Sequence, residues 1–258
     1  MPACDLQPIG ESLNASVRLC AVVSWINRRV ARPEAPRQRP RVAPTELTRV
    51  DFTELVPAPV PFLGQAAYIQ LVFFEGLALA VQTAPDLRSK EGLSAAAGVS
   101  LRKHHALIGE LRLLGVEPVD VMAPFAPATQ RLQAAWGSGD WHELLLAIHV
   151  TSGMLDGYFS RLSNGLHADL ARRVRAILDE AGSAAVLERE LGLAIAEQPG
   201  LADRLALWGR SLVGDTLLIA RSALHGSEAR GLEERVEPIF TELIADHTRR
   251  MDALGLTA

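Results

Sequence analysis

From Phe62 to Ala84 the chain carries a single charged residue, Glu75, and Pro85 closes the run. A helix that is apolar on every side cannot lie on a surface; it belongs in the middle of a bundle, with partner helices around it. The rest of the chain predicts those partners. Ser89 is read as the cap of a second helix running to Leu114, with Gly115 as its stop. Asp140 caps a third over Trp141–Leu162, which Asn164-Gly165 breaks, and a fourth is expected over His167–Glu197, ending before Pro199. Further helices are expected at Leu201–Leu224 and Leu232–Leu254. Residues 115–139, with Pro118, Pro124, Pro127 and Gly137-Ser138-Gly139, form a connection that holds a short helix around Ala128–Ala135. Few β-branched runs interrupt this pattern, so the expected class is all-α: two helices, a crossover, two more helices and C-terminal additions.

The first sixty residues differ. Between Arg28 and Arg49 lie seven arginines and four prolines against Glu34 and Glu46 alone. Proline blocks helix and sheet and like charges repel, so 1–60 is expected to be disordered and 61–258 to form the helical domain. The arm reads as a solvated tail, a start placed too early, or a basic arm for nucleic acid or an anionic lipid surface. The net charge of −4 gives no basic excess for broad nucleic-acid binding. Cys4 and Cys20 sit in no Cys-x-x-Cys or Cys/His pattern, which argues against a disulfide framework or structural zinc and for a reducing, cytoplasmic setting. Leu19–Ile26 is too short to cross a bilayer, and Arg28, Arg29 and Arg32 follow it, where a secretory leader would place them before. No stable membrane insertion is expected.

Facing helices can build a di-iron site when two of them give a Glu and two give Glu-x-x-His, whose three-residue step puts both side chains on one face. The first helix offers Glu75, expected inside the bundle beside a histidine of the second. The second offers His104 and His105, but Leu101 and Arg102 stand where the motif needs Glu. On the third, His142, His149 and Asp156 share one stripe at seven-residue steps, about 10.5 Å each and too far apart for one ion, which leaves Asp156. The fourth has Glu180-x-x-Ser183, with serine in place of the imidazole; Glu188 and Glu190 read as solvated. The metal candidates are thus Glu75, His105, Asp156 and Glu180, an incomplete set. There is no Walker loop, dinucleotide fingerprint or nucleophile elbow, and no catalytic or organic-cofactor residue stands out.

Tyr68–Glu75, Ala95-Ala96-Ala97-Gly98 with Lys103–Leu107, Pro118–Phe125, Leu205–Gly214 and His247–Leu256 resemble segments of actinobacterial ferritin-like proteins. The resemblance spans about residues 62–256. It implies a ferritin-like four-helix bundle with additional C-terminal helices. Such proteins are described as similar to the di-iron hydroxylase that oxidises 2-methylthio-isopentenyl adenosine in tRNA. Two readings follow. One is a non-catalytic, structural or binding protein with a degenerate di-iron site and no cofactor. The alternative is an iron-dependent oxidoreductase, for which iron is the cofactor and tRNA the partner. A homo-oligomer is compatible with either.

Overall fold

The computed structural model describes residues 58–257 apart from 138 and 223–231. The basic segment expected over 1–60 lies outside the described residues but for its last three. Every regular element among the described residues is a helix.

Helix α1 (Pro59–Thr83) begins three residues earlier than the apolar run suggests, with proline in its first turn, where the missing N–H costs nothing. It ends because Pro85 forces Ala84 into an extended conformation. Helix α2 (Leu87–Leu113) is capped by Asp86, whose carboxylate accepts from Ser89 N at 2.8 Å; Ser89 itself is the third helical residue, not the cap. The Ser89 hydroxyl lies 2.7 Å from Glu190 and 3.3 Å from Asp86 Oδ2. Gly115, at φ 74°, stops the helix as expected.

The crossover contains α3 (Pro118–Met122), a 3₁₀ turn (Ala123–Phe125) and α4 (Ala126–Gly137), which is longer than the short helix expected there. Helix α4 climbs back along α1. Gly76 allows the contact, because a β-carbon there would stand 2.8 Å from Trp136 Cζ3. The chain therefore returns to the end where α2 began before entering α5 (Trp141–Leu162). Asp140 and Glu143 close a reciprocal capping box at that point, as the sequence predicts for Asp140. Two contacts fix the direction of α5: Trp141 Nε1 donates to the Ala80 carbonyl at 2.9 Å, and Phe159 packs on Phe62 at 5.4 Å between ring centroids. Helices α2 and α5 run parallel, each antiparallel to α1.

The helix expected over His167–Glu197 is two helices, α6 (Ala168–Leu178) and α7 (Ser183–Glu197). Gly182, at φ 141°, adopts a backbone conformation closed to other residues and breaks the run. The two halves together return along α2, since Arg173 meets Glu110 at 2.8 Å and Ser89 meets Glu190 near the opposite end. The additional helices are α8 (Leu201–Ser222) and α9 (Leu232–Ala253), both packed on α5. They account for the burial of α5 from Leu144 through Thr151 without interruption. Helix α1 is long and apolar enough to cross a membrane, but 67% of that window is buried among its neighbours, the property of a core helix.

Candidate functional site: an ion pair at the centre of the bundle

Four helices send one group each to the middle of the bundle. Lys103, from α2, is only 4% exposed. Its Nζ donates to Asp156 Oδ2 of α5 and to the Leu178 carbonyl of α6, both at 2.7 Å. Gln70, from α1, donates to the other oxygen, Asp156 Oδ1, at 2.6 Å. The break after Leu178 is part of this site. A carbonyl in the last turn of a helix has no intrahelical partner and carries the negative end of the helix dipole, so it suits an ammonium. Asp156 keeps 22% of its side chain exposed. Burial pushes its carboxyl above the usual range, against the pull of the Lys103 ammonium and the Gln70 amide.

A metal centre in a bundle of this kind draws on inward residues of facing helices, single on two of them and as an i, i+3 pair on the other two. The α2 pair is Ser100-x-x-Lys103, both buried. The residues do not fit a di-iron centre. A protonated lysine has no lone pair and repels a cation, and both oxygens of the one carboxylate are already engaged.

The sequence-predicted ligands are in separate places. Glu75 is exposed and accepts from Gln133 of α4 at 2.6 Å, so its expected interior position beside His104 or His105 is corrected. Glu75 lies five residues from Gln70, about 140° round the helix. An all-apolar helix gives no periodic signal to say which of the two faces inward. His105 is exposed, its ring 5.6 Å from that of His104. His104 is buried and donates from Nδ1 to the Ala67 carbonyl at 2.9 Å, and burial holds its pKa below the ordinary value. Glu180 binds Arg102 at 2.7 Å on the surface. Asp156 alone reaches the centre. Glu190, read from the sequence as solvated, is buried between Ser89 and Arg189. Among the described residues, no three His, Cys, Asp or Glu side chains are grouped to hold a metal ion.

Lys103 escaped the sequence reading because lysine in a helix ordinarily marks a solvated face. The available signal was compositional: Lys90 and Lys103 are the only lysines in a chain whose other lysine-or-arginine positions are all arginine. A compact ammonium fits a buried point-charge site that a forked guanidinium would overfill.

A second polar group lies where α5 meets α9. His149 is 1% exposed with neither ring nitrogen bonded; burial and then the nearby Arg250 charge push its pKa down to about 4. His247 is likewise buried without a partner on either nitrogen, and burial lowers its pKa. Tyr158 OH is buried and unbonded too.

No curated protein matches the chain. The family model described as "Ferritin-like domain, actinomycetes" matches residues 55–230. That match runs from the approach to α1 past the end of α8, and includes all four groups of the central site. An all-helical bundle in pair–crossover–pair order and a family match over two thirds of its length lead to one conclusion: the chain belongs to the actinomycete ferritin-like domain family.

Proposed function

We propose that this chain is a non-catalytic member of its family, a structural or binding protein whose bundle is held by an internal cation in place of iron. The Lys103–Asp156 contact carries this reading. The ammonium brings to the bundle centre the positive charge that a metal would otherwise supply to the inward carboxylate. A bundle closed in this way folds without metal and has no redox group at its centre. The surroundings proposed are cytoplasmic.

The test is aerobic addition of ferrous iron to purified full-length protein, with metal analysis after desalting. The expected result is no stoichiometric iron and no change in melting temperature. Two irons retained per chain, lost on Glu75→Gln, would instead support the oxidoreductase reading built on Glu75, His105, Asp156 and Glu180, with tRNA as its partner.

A further inference from the structure

We propose that the seam between α5 and α9 binds a small oxyanion, a carboxylate or a phosphate, on the Arg250 guanidinium and the His149 ring. The inference stands apart from the fate of iron at the bundle centre, since it uses neither Lys103 nor Gln70.

The seam is built around a glycine. The guanidinium of Arg250 lies over Gly153, and any β-carbon at that position would overlap it. Gly153 is thus a notch in α5 into which α9 lays a permanent positive charge. His149 lies one turn before the notch and Asp156 nearly one turn after it, both close enough to feel the Arg250 charge. Arg250 makes no hydrogen bond or ion pair among the described residues, and its Nε is buried. A guanidinium cannot shed its proton, and the part of it that is out of solvent, Nε, has no hydrogen-bond acceptor.

The nearby acceptors are already occupied or out of reach. Asp156 has Lys103 on one oxygen and Gln70 on the other. Glu188 of α7 stands 3.9 Å from His149 Nε2, beyond hydrogen-bond range, with half of its side chain in solvent. Asp246, one turn before Arg250 on α9, is taken by Arg161 and Arg249. The seam therefore has donors in excess: the forked Arg250 and an imidazole with no partner. A planar carboxylate or a tetrahedral phosphate matches a guanidinium fork in two parallel bonds. The partial exposure of Arg250, Ser152 and Gly157 leaves an entry from solvent. With an anion bound, the charge that disfavours a protonated His149 is neutralised, and the ring takes up a proton more readily.

The experiment is a titration of the full-length protein with inorganic phosphate in one arm and acetate in the other. Ionic strength is held constant with chloride, and melting temperature and the His149 ring resonances are followed. The expected result is a saturable rise in melting temperature in at least one arm, with the His149 titration midpoint moving up from about 4. Phosphate alone would assign a phosphate-bearing ligand, and acetate alone a carboxylate. In Arg250→Gln the dissociation constant should weaken about tenfold or more, the loss expected for charge-assisted bonds. Should that variant not fold, Gly153→Ala, which pushes the guanidinium out of its notch, serves the same purpose. No saturable change in either arm, or unchanged affinity in the variant, would overturn the proposal. Iron uptake by the same preparation would overturn the non-catalytic reading and leave this one standing.

Discussion

Lys103 Nζ lies 2.7 Å from Asp156 Oδ2, so two helices of the bundle, α2 and α5, are joined by opposite charges at its centre. Removing Lys103 leaves Asp156 largely buried without its countercharge and with Gln70 as its remaining donor. Lys103→Met should cost roughly 3–5 kcal/mol in urea unfolding, as for other broken buried pairs. The double variant Lys103→Met/Asp156→Leu should recover most of that loss. A double variant no more stable than the single one would show that the pair holds the bundle through more than its charges.

Gln70 and Glu75 lie on the same helix and differ in consequence. Glu75→Gln changes an exposed side chain and should shift stability by no more than about 0.5 kcal/mol. Gln70→Leu leaves Asp156 Oδ1 without its donor and should cost about 1–3 kcal/mol. Chemical denaturation of both variants decides between them, and the reverse order would contradict the inward register of α1.

That contrast also marks the limit of what could be read from the chain. The helical class, the crossover and the cap at Asp140 were legible, because proline, glycine and capping residues act locally. The inward face of α1 was not, since almost every face of it is apolar. The split of the fourth helix was missed because Asp179-Glu180-Ala181-Gly182 can be accommodated in a helix by propensity alone. What breaks it is Gly182 at φ 141°, with the freed Leu178 carbonyl held by a lysine seventy-five residues away. A contact of that sequence separation leaves no local pattern.

Stability should fall as pH drops below neutrality. Unfolded, His149 takes up a proton near its ordinary 6.5, whereas folded it resists down to about 4. The unfolded state binds more protons throughout that interval, so this contribution is complete above pH 6.5 and lost progressively towards 4. The full loss is roughly 3 kcal/mol for a shift of this size. His104 and His247, both held below their ordinary values by burial, act in the same direction. Urea midpoints measured between pH 7.5 and 4.5 should show the slope, and His149→Leu should flatten it.

Gly76 sets the distance between α1 and the crossover helix α4. Alanine is the better helix former by about 1 kcal/mol, yet its β-carbon would meet the Trp136 ring at 2.8 Å. Gly76→Ala should therefore destabilise, by about 1–3 kcal/mol for an overpacked core. A thermal melt at or above that of the parent protein would show that Trp136 gives way.

The interrupted fourth arm has a mechanical consequence. An unbroken helix from Ala168 to Glu197 would be a rod of about 45 Å, and a push at one tip would arrive at the other. The turn at residues 179–182 replaces that rod with two levers, each with its own anchorage on α2: α6 through Arg173–Glu110 and Lys103–Leu178, α7 through Ser89–Glu190. The backbone hydrogen-bond ladder that would pass a displacement along a single helix stops at Leu178 and resumes only at Ser183.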